Sequence, residues 1–436
     1  MTRGPAQDGL RKRLLSRNLV RAGITTYAFS ALTLAANLVS GIVTARALGP
    51  SGRGVTVALS TVSLLAGFLF AMGVAQSLSY FIARRPEDGP PLLSTWAVML
   101  LPLAVTAIAI CELLLPTIFA TDGDEAIAIG RWFVVTIALV IALELNYGLM
   151  LGTQDFFAYN VLRFAAPALG TVSIVVLWQL DQLTVESALI ALTAGTAVTL
   201  TVGLTRSVQR IGLGPIDLRL GRRALWYGVR GQGNTVASNL NARLDVAMLP
   251  AFVSTANVGV YSVATNVSLI VYQLSNTFAG LVLPAAASDP KRGAVKVVGS
   301  LYATLAVAGA MAVALAFLAR PLLRVVYGDE FADAAEPLLL LLPGSVLFAG
   351  SSILSAGIYA ANRPFTATLA QLLGMLVTVV GLFVFLRSGG ITAAALVSSA
   401  AYGTVFVTTL LVYKSISGLS WRALLPTPGR LRALAR

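Results

Sequence analysis

Unbroken apolar stretches recur along the whole sequence, and they limit what this chain can fold into. A helix of about 20 apolar residues spans the ~30 Å hydrocarbon core of a bilayer. Hydrophobic residues make up 57% of the chain and charged residues only 11%, whereas charged residues make up about a quarter of a soluble domain. The stretches also lack the alternation of a membrane β-strand. The sequence therefore predicts an all-α polytopic membrane protein.

The apolar stretches predict about 12 transmembrane helices in two sets of six. The first set is residues 24–45, 55–83, 92–115, 127–151, 158–178 and 186–206. The second set is residues 229–250, 258–285, 295–318, 334–359, 364–386 and 391–413. The chain is accordingly divided into a cytoplasmic basic amphipathic segment at 1–21, a six-helix bundle at 22–206, a basic connector at 207–227, a second six-helix bundle at 228–413 and a basic tail at 414–436.

The positions of the basic residues predict the orientation. With the amino terminus inside, 24 of the 31 Lys and Arg residues lie on the inner side and six lie in outer loops, as expected from the enrichment of basic residues in cytoplasmic loops. We therefore expect both termini in the cytoplasm. The net charge of +13 then reflects orientation and not a nucleic-acid partner. The excess of arginine over lysine, 27 to 4, indicates a bacterial source and hence a bacterial cytoplasmic (inner) membrane.

Several kinds of chemistry are excluded by residues that the sequence lacks. It contains no histidine, and Cys111 is its single cysteine, so His-based triads, thiolate clusters and internal disulfides are absent. No Gly-Lys pair occurs, so the chain lacks the phosphate-binding loop of that class of ATPases. We predict no metal site, no cofactor and no catalytic residue.

The second half of the sequence repeats features of the first at an offset of 205 residues. Gly123-Asp124-Glu125 aligns with Gly328-Asp329-Glu330, and Gly54-Val55 aligns with Gly259-Val260. Because each half has six spans, both halves enter the membrane in the same orientation, which predicts two parallel repeats around a central cavity. This arrangement is typical of transporters. We interpret the repeated Gly-Asp-Glu as matching outer loops whose carboxylates suit the positive start of the next helix.

The seventh span is unusually polar for a membrane helix. It reads VRGQGNTVASNLNARLDVAMLP (229–250), and a central Arg or Asp alone costs about 3 kcal/mol on insertion. A helical projection gives two polar stripes. One consists of Asn234, Ser238, Asn241 and Asp245, and the other consists of Gln232, Asn239 and Arg243. Because the two stripes cannot both face lipid, we predict that this span faces a hydrated cavity, along with other polar residues such as Tyr261 and Asn146.

Three charged residues within or beside this cavity have uncharged counterparts in the other half. They are Arg243, Asp245 and Glu144, aligned with Leu38, Ser40 and Ala349. The scaffold therefore does not need charge at these positions. The predicted substrate-binding residues are Arg243, Asn234, Ser238, Asn239 and Asn241, and the predicted ion-coupling residues are Asp245 and Glu144. Alternatively, Arg243 forms a structural ion pair with a carboxylate such as Glu144.

Three stretches follow one another in an order that resembles a known family. They are TARALGPSGRGVTVALSTVSLLAGFLFAMGVAQSLSYFIAR (44–84), ARLDVAMLPAFVSTANVGVYSVATN (242–266) and VYGDEFADAAEPLLLLLPGSVLFAGSSILSAGIYAANRP (326–364). They resemble the bacterial polysaccharide and O-antigen flippases of the multidrug/oligosaccharidyl-lipid/polysaccharide exporter superfamily. The resemblance implies flipping of a polyprenyl-pyrophosphate-linked oligosaccharide to the outer leaflet by alternating access, with Arg243 attracting the pyrophosphate. The implied partners are this anionic lipid-linked sugar, membrane lipids and other polysaccharide-assembly proteins.

Two other functions stay open from the sequence. A cation-coupled small-molecule or multidrug exporter of the same superfamily would use Asp245 or Glu144 as its coupling carboxylate. A polyprenyl-sugar-dependent membrane glycosyltransferase or polymerase would need acidic catalytic residues in an outer loop, where Asp122, Asp124 and Glu125 are the candidates. That loop is short and its core recurs in the other half, which favours a transporter over an enzyme.

Overall fold

The chain is helical throughout the part that the structure describes. The computed structural model describes residues 5–121, 124–287 and 290–421, with side chains at 25–121, 124–273, 293–363 and 365–421. Within these ranges it has thirteen α-helices, three short 3₁₀ turns and no β-strand. The predicted all-α fold is confirmed.

The α-helices and the 3₁₀ turns follow one another with short connections. The helices are α1 Pro5–Phe70, α2 Val74–Arg84, α3 Gly89–Ile118, α4 Asp124–Phe133, α5 Thr136–Gly152, α6 Phe156–Gln179, α7 Val185–Ile211, α8 Leu218–Gly231, α9 Gly233–Met248, α10 Thr255–Ala287, α11 Pro290–Tyr327, α12 Ala335–Ala360 and α13 Pro364–Ser417. The 3₁₀ turns are Pro86–Asp88, Leu249–Ala251 and Asp329–Ala334.

These helices account for all of the predicted spans. Eight helical stretches among the described residues are long and apolar enough to cross a membrane. Two of them bend at a glycine: Thr25–Phe70 contains the first predicted span and the first part of the second, and Phe365–Ser417 contains the eleventh and twelfth. The seventh and eighth predicted spans correspond to α9 and α10. The protein is therefore a multi-pass membrane protein with the predicted number of transmembrane helices.

Glycine allows the sharp bends inside the two longest helices. Gly49 in α1 has φ 65° and Gly390 in α13 has φ 53°, a left-handed region that residues with a Cβ rarely adopt. Pro50 directly follows the first bend, at the start of a helical segment where its missing N–H has no intrahelical partner to lose. The connections between spans one and two and between spans eleven and twelve are therefore bends and not loops.

The second predicted span is interrupted near its middle. It is divided between α1 and α2 by a turn in which Met72 has φ 49° and Gly73 has φ 71°. The Gly73 backbone lies directly against α8, because a Cβ at this position would lie 2.2 Å from the carbonyl oxygen of Gly228. A larger residue could not occupy either glycine position without moving the two segments apart.

The connector between the two sets of spans is more helical than predicted. Residues 207–227 were expected to form a basic connector, yet α8 begins at Leu218, where Asp217 caps it by accepting hydrogen bonds from the N–H groups of Arg219 at 2.9 Å and Leu220 at 3.0 Å. The seventh span consequently begins at Gly233 and not at residue 229, since α8 continues to Gly231.

Two arginines lie in surroundings that differ from those predicted. Arg163 was counted with the inner loops, but it lies on α6, about two turns from the start of that helix. Arg53 was assigned to an outer loop, but it is 7% exposed and its Nη1 donates a hydrogen bond to the Thr44 hydroxyl at 2.7 Å. The bend at Gly49 replaces the expected loop and brings these two helical segments together.

The chain forms two compact units. One comprises Met1–Val43, Ala66–Cys111 and Phe133–Gln232, and the other comprises Thr44–Leu65, Glu112–Trp132 and Gly233–Arg436. The second unit therefore contains the second half of the chain together with two segments of the first half.

The predicted repeat is visible where α1 and α10 cross within the second unit. A Cβ on Gly54 would lie 1.8 Å from the Thr255 carbonyl oxygen, and a Cβ on Gly259 would lie 1.9 Å from the Pro50 carbonyl oxygen. Pro50 and Gly54 are separated from Thr255 and Gly259 by the same offset of 205 residues. Each helix thus contacts the other with equivalent positions, as a two-fold axis through the crossing requires.

Both copies of Gly-Asp-Glu lie at the start of a helical segment. Asp124 and Glu125 are in the first turn of α4, and Asp329 and Glu330 open the 3₁₀ turn that leads into α12. All four side chains are exposed, and Gly123 lies outside the described residues. The interpretation of these carboxylates as helix starts is confirmed.

Candidate functional site

All predicted site residues except Glu144 lie on α9, in the second unit. The buried residues of this helix are Ala237, Asn241, Asp245 and Val246. Residues four apart share a face of a helix, so one of the two predicted polar stripes faces protein. That face packs mainly against α13, with further contacts to α10.

The Asp245 carboxylate lies at a junction of three helices and has no exposed surface. It accepts hydrogen bonds from the Tyr261 hydroxyl on α10 at 2.6 Å and from the Ser398 hydroxyl on α13 at 2.8 Å. The Val246 N–H donates a third at 2.8 Å. A buried charge is costly unless it is hydrogen-bonded, so these three donors are what allow a carboxylate at this position. Asp245 consequently ties α9 to α10 and α13.

Asn241 attaches α9 to the first part of α13. It is 1% exposed, and its Nδ2 donates to the Gln371 backbone carbonyl at 2.7 Å and to the Gln371 Oε1 at 2.8 Å. Its Oδ1 is buried and has no hydrogen-bond partner among the described residues. Asn241 therefore keeps one acceptor that a polar group entering this region could use.

Arg243 is the basic residue of the site. It is half-buried, and it makes no ion pair with a described carboxylate of its own unit. Asp245 and Tyr402 are the groups that act on it electrostatically. Since the Asp245 oxygens already accept three hydrogen bonds, the guanidinium retains donors for another anion.

A stack of three aromatic rings lies beside Arg243. The rings of Tyr272 and Phe348 are 4.4 Å apart between centroids, and those of Phe348 and Tyr402 are 4.6 Å apart. Ala242 of α9 packs against the same cluster. The stack connects α10, α12 and α13 and gives the segment around Arg243 a rigid support.

The remaining predicted residues of α9 lie nearer to its start. Asn234 interacts with the Tyr359 hydroxyl of α12, while its Oδ1 is buried and has no partner in the described part of the chain. Asn239 donates to the Thr235 carbonyl oxygen of the preceding turn at 2.8 Å. Ser238 is half-buried. These three side chains offer amide and hydroxyl groups, which suit the hydroxyls of a sugar.

Glu144 lies apart from α9 in sequence and belongs to the first unit. It is half-buried on α5, and Arg163 of α6 and Tyr147 act on it electrostatically. Asn146, two residues along, is buried and accepts a hydrogen bond from the Ser207 hydroxyl of α7 at 2.8 Å. The first unit thus has its own polar contacts, between α5, α6 and α7.

Two residues that complete the site were not singled out from the sequence. Ser398 and Gln371 hold Asp245 and Asn241, and they lie 153 and 130 residues away along the chain. A serine or glutamine in an apolar span most often bonds to a neighbouring helix. Their sequence surroundings therefore do not indicate which polar residue they contact.

The fold is shared with solved transporters of lipid-linked and small-molecule cargo. The lipid II flippase MurJ in an inward closed conformation superposes with a TM-score of 0.77 at 15% identity, over 94% of this chain and 91% of that one. An inward-facing multidrug resistance MATE family transporter of the MOP superfamily superposes with a TM-score of 0.71 at 14% identity, over 95% and 99%. This chain therefore has the same fold as these two transporters.

The sequence itself places the chain within a family. The family described as "Polysaccharide biosynthesis protein" matches residues 20–288, and the chain belongs to it. A curated relative, a probable low-salt glycan biosynthesis flippase of Haloferax volcanii, is 20% identical over 363 residues, which cover 82% of this chain and 75% of the relative.

Proposed function

We propose that this protein moves a polyprenyl-pyrophosphate-linked oligosaccharide from the inner to the outer leaflet of a bacterial cytoplasmic membrane by alternating access. The family match supports a role in polysaccharide biosynthesis. The curated relative, named as a probable glycan biosynthesis flippase, and the MurJ fold support a lipid-linked cargo. The protein then acts as a transporter and not as an enzyme, with both termini in the cytoplasm.

The observation that carries this proposal is that Arg243 makes no ion pair with a described carboxylate of its own unit. A guanidinium within a membrane-spanning segment is rare and faces a functional or structural partner. Arg243 lacks an ion-paired carboxylate in its unit, so it can bind an anion with its planar donors. A pyrophosphate matches this geometry, because guanidinium groups bind phosphate oxygens in a bidentate manner.

The uncharged residues of α9 have a different proposed role. Asn234, Ser238 and Asn239 bind hydroxyl groups of the sugar, and Asn241 contributes its unpaired Oδ1. Such contacts orient a polar cargo without adding charge to the membrane interior. Together with Arg243 they form the proposed substrate-binding set.

Ion coupling by Asp245 or Glu144 is the second candidate function, and it would serve either a flippase or a small-molecule exporter. Asp245 is enclosed by three hydrogen-bond donors, which favours a role in positioning α9. Glu144, with an exposed arginine as its charged neighbour, is the carboxylate better placed to exchange a cation. Replacement by Gln should abolish ion dependence and leave the protein folded if Glu144 couples transport.

The proposed domain organisation follows the repeat. A bundle at 22–206 and a bundle at 228–413 would be joined by the connector at 207–227, with basic segments at 1–21 and 414–436 in the cytoplasm. Other polysaccharide-assembly proteins are proposed partners, since the flipped precursor must be made on one side of the membrane and used on the other.

The function is tested by precursor analysis in a strain that lacks the protein. A flippase defect leaves complete lipid-linked precursor in the inner leaflet, whereas a polymerase defect leaves single units exposed outside. Arg243→Ala should fail to restore export while still reaching the membrane, and Arg243→Lys should restore it in part because it keeps the charge. Arg320→Ala, which removes an exposed arginine of α11, serves as the matched control. Normal surface polysaccharide with Arg243→Ala would exclude the proposed role of this residue.

A further inference from the structure

The connector helix α8 presents an unusual surface. The residues that it buries are Gly221, Ala224 and Gly228, three small residues on one narrow face. A Cβ on Gly221 would lie 2.6 Å from the Thr95 Cγ2 of α3, and one on Gly228 would lie 2.5 Å from the Gly73 carbonyl oxygen. With this face the helix packs against α3 and the turn before α2, while Leu220 and Leu225 are half-buried and its other residues are exposed.

The exposed part of α8 carries apolar side chains next to basic ones. A surface that faces only water does not require this combination. Leu218 is 63% exposed, Trp226 is 54% exposed and Val229 is 39% exposed. A second group beside them is basic and exposed: Arg219, Arg222, Arg223 and Arg230. The Arg230 guanidinium also lies over the Trp226 ring, 5.8 Å from its centroid. No acidic residue occurs within the helix.

These groups lie in separate sectors of the helix. At about 100° per residue, Leu218 and Val229 share one side, the four arginines follow next to it, and the buried glycines lie opposite the arginines. Trp226 falls within the basic sector, between Arg222 and Arg219. An interfacial helix has this arrangement, with its apolar side in the acyl boundary, its aromatic ring at the headgroup level and its basic side towards phosphate.

We propose that α8 is a binding surface for anionic phospholipid headgroups of the cytoplasmic leaflet. The proposal depends on the cytoplasmic placement of the connector and not on the transported cargo. Charge complementarity identifies the partner, because four arginines next to exposed apolar side chains match a negatively charged lipid surface and not a soluble anion. A basic residue near such a surface strengthens binding about fivefold.

The proposed lipid-binding helix lies next to two other features of the chain. α8 contacts the interruption of the second span through Gly73 and Gly228, and Gln232 separates it from α9, which carries Arg243.

The depth of α8 is tested with the full-length wild-type protein in nanodiscs. Lipids brominated near the headgroup should quench tryptophan fluorescence, and Trp226→Phe should remove a distinct part of that quenching. Equal quenching in both proteins would show that α8 does not lie at the lipid interface and would overturn the proposal. This test uses no variant in which surface charge is removed, so its outcome does not depend on whether such a variant folds.

Lipid selectivity is tested with spin-labelled phosphatidylglycerol and phosphatidylcholine. The wild type should immobilise phosphatidylglycerol preferentially, and R222Q/R223Q should reduce this preference at least about fivefold. R320Q/R387Q removes the same charge from exposed positions on α11 and α13 and should leave it unchanged. An equal loss in both variants would overturn the proposal, as would displacement of the lipid by inorganic phosphate. Because flipping is not measured, failure here is distinct from failure of the proposed function.

Discussion

At the scale of single residues, the three hydrogen bonds around Asp245 hold α9 in place. The Tyr261 hydroxyl bonds to Asp245 and lies 3.3 Å from the Ser398 hydroxyl, so it belongs to a small buried network. A buried acceptor that loses its donor pays the full desolvation penalty. This makes Tyr261 a sensitive point at which to test the network.

Tyr261→Phe should lower the stability of the purified protein by about 1–3 kcal/mol, because it removes only the hydroxyl that donates to Asp245. Thermal melting in detergent measures the loss. Tyr413→Phe is the matched control, since Tyr413 is buried and donates no hydrogen bond within the described residues. An equal change in both variants would show that the Asp245 network contributes little.

A second polar cluster lies at the start of α6, in the first unit. Asp155 caps α6 by accepting from the Ala158 N–H at 3.1 Å, and it forms ion pairs with Arg206 at 2.9 Å and with Arg210. Partial burial raises the pKa of the Asp155 carboxyl, but the hydrogen bonds and the two arginines outweigh this effect, so its pKa lies below the ordinary value. The cluster fastens the start of α6 to the end of α7.

Asp155→Asn should reduce stability at neutral pH by no more than about 1 kcal/mol, because both arginines are half exposed and such pairs are screened. A lowered folded-state pKa stabilises the fold above the unfolded-state pKa, so the difference from wild type should shrink below about pH 4. Melting curves across pH measure it. Asp181→Asn, at an exposed aspartate, should show no such trend, and a constant difference at all pH values would contradict the ion-pair account.

At the residue scale, the sequence identified the helix that carries the polar residues but not the residues that they contact. The density of amides around Arg243 marked α9 as the polar span. It did not reveal that Asn241 and Asp245 face protein, because their partners Gln371 and Ser398 become neighbours only through tertiary packing. The two polar stripes of α9 are similarly polar in the sequence, and they differ only in the groups that they contact in the folded protein.

At the scale of elements, close helix crossings depend on glycine. The backbones of α1 and α10 approach so closely at Gly54 and Gly259 that any Cβ would overlap a carbonyl oxygen. In membranes, small residues allow the close packing that replaces the hydrophobic effect between helices. A single added methyl group at either glycine is therefore expected to disturb this helix crossing.

Gly54→Ala and Gly259→Ala should each destabilise the protein by about 1–3 kcal/mol through overpacking. Melting temperature and yield in membranes measure the effect. Gly309→Ala is the matched control, because a Cβ there meets nothing within 4 Å and alanine favours a helix interior. If all three variants behave alike, the crossing is not tightly constrained.

Apolar length predicted the spans well but could not predict their interruptions. All twelve stretches are helical, yet the break at Met72 and Gly73 lies within a continuous apolar run. The helix α8 was missed because its arginines and glycines resemble a loop in composition. The two features meet at the contact between Gly73 and Gly228, which brings together distant parts of the sequence.

At the scale of the whole molecule, basic residues determine the proposed orientation. The prediction places Gly328 outside and the connection at Asn362 inside. Alkaline phosphatase fused after Gly328 should therefore be active, and the same enzyme fused after Asn362 should be inactive. A fluorescent protein at Arg436 should fold in the cytoplasm. The opposite pattern would contradict the proposed orientation of the second half.

The reciprocal contact of Gly54 and Gly259 also bears on ancestry. Two subunits of a symmetric homodimer touch through the same surface on each copy, and this crossing has that form within a single chain. The crossing thus has the form that one gene encoding two equivalent halves would produce. Because both halves lie in one chain, matching positions can carry different residues, and position 38 is leucine where the matching position 243 is arginine. A homodimer could not have gained one charge without gaining two.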